Sequence, residues 1–318
     1  MNLVKKYFQI LDKNKREAVF NGDVGINYIK DIIYPKISVI TPSYNQGLFI
    51  EETINSVLKQ NYPNLEYIII DGGSTDSTKS ILEKYDKSIT YWVSEKDNGQ
   101  SDAINKGFAL ATGDILCWLN SDDTYLPNTL HKVAKYFLQS NTFNKIISGR
   151  GYYLFEANNI VLNNGVSELY KKCDDIEFCY HIIQPSTFWG KSVMKKNGNV
   201  KENLHYCFDW EWFIRANEKN IVIQKVGDYF SYYRIHKDHK SSTKDDKRLI
   251  ELSKLCSSLH GKDVGLAYIK LNRSNKDKIF RRLLRRLPSC LEWVKLIHWR
   301  LKFSNVTYKT YSKLLFFA

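Results

Sequence analysis

Lys36-Ile-Ser-Val-Ile-Thr41, followed by Pro42-Ser-Tyr-Asn-Gln46, is an apolar run that ends abruptly in polar residues, and the pattern returns three times before residue 124. Leu65 to Asp71 leads into Asp71-Gly-Gly-Ser-Thr-Asp76, and Ile89 to Ser94 into Glu95-Lys-Asp-Asn-Gly-Gln-Ser-Asp102. Asp114 to Asn120 leads into Asn120-Ser-Asp-Asp123. Between these runs lie helical periodicities: Leu48 to Gln60, with apolar Ile50, Ile54, Val57 and Leu58, then Asp76 to Tyr85, then Ser101 to Ala111. Apolar strands alternating with helices predict an α/β fold, a mainly parallel sheet flanked by helices. Such sheets bind ligands outside the carboxyl ends of their strands, so the four polar stretches form the candidate site.

Beyond Pro127 the alternation becomes irregular. A helix is expected at Asn128 to Ser140, a strand at Lys145 to Phe155, a mixed segment at His181 to Trp189 and a helix around Trp210 to Asn217. Val222 to Val226 and Tyr229 to Ile235 read as late strands, and helical patterns dominate from Asp245. The expected organisation is an N-terminal helical extension at 1–33, an α/β region at 34–240 and a basic helical region at 241–318. The middle part divides into 34–127, with regular alternation, and the irregular 128–240.

The chain has 318 residues, 43% hydrophobic and 25% charged, which suits a folded globular protein rather than a disordered one. Its formal net charge of +13 is unevenly spread: residues 276–318 carry eleven Lys and Arg against two acids, leaving only +4 elsewhere. The middle of the chain is therefore close to neutral. Cys117, Cys173, Cys179, Cys207, Cys256 and Cys290 show no paired spacing of the zinc or redox kind, which fits a reducing cytosol. No apolar run is long enough to span a bilayer, and Lys5 and Lys6 interrupt the one apolar stretch at the start.

Taken in order, the four strand ends resemble the family 2 glycosyltransferases, which have the GT-A fold; the resemblance runs from about Ile37 to His236. It implies a sugar-nucleotide donor, with Asp71 accepting a hydrogen bond from the uracil of a UDP-sugar while Thr41, Pro42 and Tyr44 complete the nucleoside pocket. On its own chemistry, Asp71 either presents a carboxylate to a base or opens the loop, with Ser74 or Asp76 capping the next helix. Asn120-Ser121-Asp122-Asp123 stands where the family has an Asp-any-Asp motif for Mg²⁺ or Mn²⁺. The first acidic position is Asn120, so direct ligation falls on Asp122, with Asp123 second. Asp102 and Asn105, one helical turn apart, match the stretch that contacts nucleotide and sugar in relatives. Asp102 is also a fair helix cap.

The resemblance further implies an inverting reaction whose base is the aspartate of Phe208-Asp209-Trp210-Glu211, hence Asp209. Tyr233-Arg234-Ile-His236 resembles the segment closing the donor site, with Arg234 on phosphate and His236 on metal or pyrophosphate. Gln184-Pro-Ser-Thr-Phe-Trp189 stands where relatives shape the sugar pocket, and Trp189 either stacks on a sugar or belongs to the core.

In the tail, Ile279, Phe280, Leu283, Leu284 and Leu287 share a helical face, with Arg281, Arg282, Arg285 and Arg286 off it. Such a stretch, continuing to residue 303, suits an anionic membrane surface or packs as an ordinary helical cap. The expected acceptor is a glycan or lipid-linked glycan, in cell-surface polysaccharide assembly, and the protein cytoplasmic or peripheral on the inner face of the cell membrane. The alternatives are a nucleotidyltransferase or NAD enzyme, and a degenerate membrane- or nucleic-acid-binding module. No Gly-x-Gly-x-x-Gly, phosphate-binding Gly-Lys-Ser/Thr loop or nucleotidyltransferase opening supports the enzyme alternatives.

Overall fold

A computed structural model describes residues 34–140, 142–155, 160–163, 175–178, 180–237, 240, 246–272, 283–284 and 292–315. The expected extension at 1–33, and the arginines at 281, 282, 285 and 286, lie outside the described residues, as do Cys173, Cys179, Cys290 and His239. The chain divides into two compact units. One is drawn from Met1–Asn163, Ile182–Asn199 and Glu218–Ile235, the other from Asn164–His181, Val200–Asn217 and His236–Ala318.

The strands of the first unit are β1 (Ile37–Ser43), β2 (Leu65–Asp71), β3 (Tyr91–Ser94), β4 (Ile115–Trp118), β5 (Thr124–Tyr125), β6 (Lys145–Phe155), β7 (Ile160–Asn163), β8 (Thr187–Gly190) and β9 (Val222–Ile235). Among the described residues they form one nine-stranded sheet in the order β3-β2-β1-β4-β8-β6-β9-β5, with β7 on β6. The first four are parallel. Beyond β4 the sheet is mixed, antiparallel at β8 and again parallel where β6 meets β9. The two late strands expected at 222–226 and 229–235 are one strand whose register against β6 shifts between Ser148 and Gly151. There the ring of Phe230 would stand 2.2 Å from any Cβ placed on Gly149, so the irregularity is filled by an aromatic side chain.

The helices of this unit follow from period-3.6 apolar faces. They are α1 (Ile50–Leu58), α2 (Thr78–Lys84), α3 (Gln100–Leu110), α4 (Thr129–Leu138) and α5 (Lys191–Asn197). Ile50, Ile54 and Val57 of α1 and Leu130, Val133 and Phe137 of α4 join Ile37, Val39, Tyr67 and Ile69 in one buried cluster. Ile40 lies on the opposite face of β1, where α3 packs so closely that a Cβ on Gly107 would fall 2.4 Å from Ile40 Cγ2. The sheet thus carries helices on both faces.

Glu66 joins the parallel strands at their amino ends. Its carboxylate accepts hydrogen bonds from Ser38 Oγ of β1 at 2.5 Å and from the N–H and hydroxyl of Thr112 at 2.7 and 2.6 Å, and pairs with Lys36 Nζ at 2.6 Å. Burial pushes this carboxyl up, but the bonds from Lys36, Ser38 and Thr112 outweigh it and hold it down at about 2.

The second unit is helical: α6 (Phe208–Glu218, all but its last residue), α7 (Asp246–His260), α8 (Lys262–Asn272), α9 (Glu292–Lys302) and α10 (Tyr308–Leu314). Helices α7 and α8 form a hairpin across Gly261, whose φ of +94° is the left-handed region that glycine tolerates. Trp299 Nε1 donates to Val306 O at 2.7 Å and the His298 ring pairs with the Tyr311 hydroxyl at 2.6 Å, which fixes one face of α9. Its other face leaves Leu296, Ile297 and Leu301 exposed beside Arg300. Among the described residues no helix is long and apolar enough to cross a membrane.

Candidate functional site

The loops that follow β1 and β2 are stitched together. Asn45 N donates to Ser74 Oγ at 2.7 Å, Thr75 N to Asn45 Oδ1 at 2.9 Å, Gln46 N to Thr78 Oγ1 at 3.0 Å and Gly47 N to Asp76 Oδ2 at 2.8 Å. Asp76 also accepts the N–H of Thr78, the first residue of α2, at 2.9 Å, so it opens that helix and crosslinks the loops at once. Of the residues expected to wall a nucleoside, Thr41 and Pro42 are buried, Thr41 with its hydroxyl 3.2 Å from Tyr67 Oη, whereas the Tyr44 ring is 59% exposed.

Asp71 is fully buried at the end of β2. Its Oδ1 accepts from Ser74 Oγ at 2.5 Å, and its Oδ2 from Ser74 N at 2.8 Å and Ser94 Oγ at 2.7 Å. Of the two readings of Asp71, these bonds bear out the loop-opening one: a single carboxylate organises the ends of β2 and β3. Two more acids follow. Asp97 receives the Gly99 N–H at 2.8 Å and lies against Gly72, where any Cβ would be 2.8 Å from Asp97 Oδ2; burial pushes the Asp97 carboxyl up. Asp102, in the first turn of α3, accepts Asn98 N at 2.9 Å and stands 3.4 Å from Lys106 Nζ; it ties down the chain entering the helix and is not its cap, since the N-cap position is Gly99 and no side chain caps there. Asn105 is buried one turn on.

The loop after β4 is held from three sides. Thr53 of α1 donates its hydroxyl to Ser121 O at 2.9 Å and to Asp123 O at 2.8 Å. Arg234 of β9 gives its N–H to Asp123 Oδ1 at 3.0 Å, its Nε to Asp122 O at 2.9 Å and an Nη to Glu52. The guanidinium also lies 5.2 Å from the Phe49 ring centroid. Arg234, expected on phosphate, is here the brace of the Asp122 loop.

Asn120 accepts from Gln100 Nε2 at 2.9 Å and directs its own amide toward Asp123 Oδ2 at 3.3 Å and Gln184 Oε1 at 3.4 Å; Gln184 in turn donates to Trp118 O at 2.8 Å. Burial first, and then the neighbouring Asp122 charge, push the Asp123 carboxyl well above its usual range. With both oxygens engaged and only 1% of its surface exposed, Asp123 is not disposed as a metal ligand, contrary to expectation. The half-buried Asp122 carboxylate remains, and among the described residues no group of three or more His, Cys, Asp or Glu could enclose a metal ion. A lone carboxylate oxygen donor of this kind is the ligand type that a hard divalent cation takes.

Trp189 is fully buried in β8, 5.3 Å from the Trp118 ring and 5.6 Å from Phe108, so of its two readings the core one holds. His236 and Asp209 belong to the second unit. Asp209, in the first turn of α6, accepts from Trp210 N at 2.7 Å through Oδ1 and from Tyr180 Oη at 2.7 Å through Oδ2. Burial pushes its carboxyl up, opposed by those two bonds and by the charge of Lys240. Burial in turn holds the Lys240 ammonium down at about 8. Glu251 of α7 accepts the N–H groups of His205, Tyr206 and Cys207, at 2.8, 2.6 and 2.9 Å, and so anchors the turn leading into α6.

Thr53, Glu66, Tyr180, Gln184 Nε2 and Glu251 are the supports that sequence reading missed. Only Glu66 carried a signal, as an acid inside an otherwise apolar strand.

A family model described as glycosyl transferase family 2 matches residues 38–197. The chain is 27% identical over 216 residues to an uncharacterized glycosyltransferase of Nostoc sp., covering 63% of this chain and 65% of that one. It is 40% identical over 108 residues to the putative teichuronic acid biosynthesis glycosyltransferase TuaG of Bacillus subtilis, covering 33% and 43%. The chain thus spans less than two thirds of the length of these relatives. Among solved structures, S. aureus TarS 1-349 in complex with UDP-GlcNAc has a TM-score of 0.59 at 19% identity, covering 88% of this chain and 89% of that one. The mannosyltransferase PcManGT from Pyrobaculum calidifontis, in complex with GDP-Man and Mn²⁺, has a TM-score of 0.58 at 16% identity, covering 89% and 84%. At such identities the likeness concerns the fold, a GT-A sheet.

Proposed function

The chain belongs to glycosyl transferase family 2, and from that premise we propose that it transfers a sugar from a nucleotide-sugar donor, a UDP-sugar by preference, to an acceptor hydroxyl with inversion. One observation carries the reading: the polar ends of β1, β2 and β4 and the first turn of α3 are cross-bonded at one edge of a parallel sheet. The TarS neighbour holding UDP-GlcNAc supports the choice of uridine. Residues 34–240 are taken as the catalytic region, with 128–240 its acceptor side.

In this reading Asp71 accepts the N–H of the base, Tyr44 walls it, and Thr41 and Pro42 set the floor behind. Asp102 and Asn105 face the ribose and sugar, while Asn120, Ser121 and Arg234 hold the loop that presents Asp122. Asp122 would hold Mg²⁺ or Mn²⁺, which when bound neutralises the diphosphate charge as it departs. Asp209 takes the proton of the acceptor hydroxyl as that oxygen bonds to the anomeric carbon and the bond from that carbon to the nucleoside diphosphate breaks with its electron pair. A buried carboxylate whose proton affinity is raised is a better base than a solvated one.

The acceptor is read as a glycan or lipid-linked glycan in surface polysaccharide assembly, in keeping with the name of the TuaG relative. The exposed Leu296, Ile297 and Leu301 beside Arg300 favour a cytoplasmic protein that rests on an anionic membrane face.

Asp209→Asn tests the chemistry. The variant is expected to keep its fold and UDP affinity and to lose roughly 100-fold or more in kcat. Turnover at the parental rate would remove Asp209 from the mechanism.

A further inference from the structure

Asp209 is held by more than its own helix. Its Oδ1 is fixed by the N–H of Trp210, so the carboxylate could still swing about that one bond. The Tyr180 hydroxyl removes this freedom by donating to Oδ2 at 2.7 Å. Tyr180 is itself pinned: its ring stacks on the Trp210 indole with centroids 5.7 Å apart and 24° between planes, and it also contacts Phe213. Trp210 is in turn tied to the Tyr180 segment, because its Nε1 donates to Ile176 O at 2.6 Å. The tyrosine, the indole and the carboxylate thus form a closed arrangement in which neither end can move alone.

We propose that Tyr180 is a positioning residue for Asp209, fixing the plane of the carboxylate and holding it ready to receive the proton of an acceptor hydroxyl. The inference rests on Asp209 being the base, and it adds a second residue from a separate segment of the chain. A hydroxyl that donates to a carboxylate favours its charged form, so the bond opposes the burial that pushes the Asp209 proton affinity upward.

The other titratable groups around Asp209 act in identifiable directions. Lys240 supports the anion while it is charged, and burial holds its ammonium down at about 8. Cys207, the second residue before Asp209, feels both the Asp209 and Glu251 charges and is pushed up, first by burial, so it stays a neutral thiol. Glu251 remains ionised: burial pushes it up, but the backbone N–H groups of His205, Tyr206 and Cys207 and the Cys207 thiol together hold it down.

The test is the pH profile of kcat for parent, Tyr180→Phe and Asp209→Asn, under saturating donor. Phenylalanine keeps the ring and its stacking on Trp210, so the fold is retained, and melting temperature and donor KM report on that. The expected result for Tyr180→Phe is a fall in kcat on the order of 10-fold, with its acid limb moved to higher pH and donor KM unchanged. A tyrosine that only packs would leave the limb where it is. An unmoved limb, with Asp209→Asn inactive, would overturn the role of Tyr180 alone; parental turnover by Asp209→Asn would overturn the base and this inference with it.

Discussion

Replacing Glu66 with glutamine tests whether the parallel half of the sheet is held in alignment by one buried carboxylate. The bonds from Lys36, Ser38 and Thr112 hold this carboxyl at about 2, against the ordinary 4.5, despite a burial that would raise it. A shift of that size amounts to about 3 kcal/mol at neutral pH, and the partial exposure of Lys36 trims it to roughly 2 to 3 kcal/mol. Because the folded value is depressed, the contribution is complete above the unfolded-state value and is lost as pH falls from about 4.5 toward 2. The assay is the thermal unfolding midpoint of parent and Glu66→Gln between pH 7 and pH 2.5. The variant should be clearly less stable at neutral pH, and the two midpoints should converge in acid. A gap that stayed constant over that range would refute the reasoning, since lost packing alone does not titrate.

Two further outcomes concern ligands. Asp71→Asn replaces an acceptor of three hydrogen bonds by an amide that cannot accept them all, and should weaken UDP binding by roughly 10- to 100-fold by calorimetry; unchanged affinity would remove Asp71 from the nucleoside pocket. Changing Leu296, Ile297 and Leu301 together to serine should abolish sedimentation with phosphatidylglycerol vesicles while the melting temperature holds, because these side chains are exposed on the free face of α9; equal binding by variant and parent would sink the membrane reading.

The existence and parallel direction of the first four strands were legible because each is a short apolar run closed by polar residues and followed by a helical period, though their order across the sheet was not. Leu65–Asp71 was placed to the residue. The irregular second half was harder for a physical reason. The single strand Val222–Ile235 reads as two because its pairing with β6 slips around Arg150, and an irregular register interrupts the alternation on which a strand is recognised. The two-residue β5 carries no pattern of its own and exists only through Thr124 and Tyr125 pairing with Tyr232 and Ser231.

The polar residue types at the strand ends were legible, but not their division of labour in the loops. Asp122 and Asp123 are adjacent and identical in sequence, and what separates them in the structure is burial, Asp123 being enclosed and Asp122 only half so. Asp123 gives one oxygen to the Arg234 N–H and faces the Asn120 amide with the other, over a separation of 111 residues in the first case. Arg234 could not be read as a brace from its own segment either, because its partners Glu52 and Asp122 O come from α1 and the β4 loop. Asn120 completes the argument. Its amide can donate to Asp123 while accepting from Gln100, which a carboxylate in its place could not do, so the departure from an acidic motif is itself part of what holds Asp123 inward.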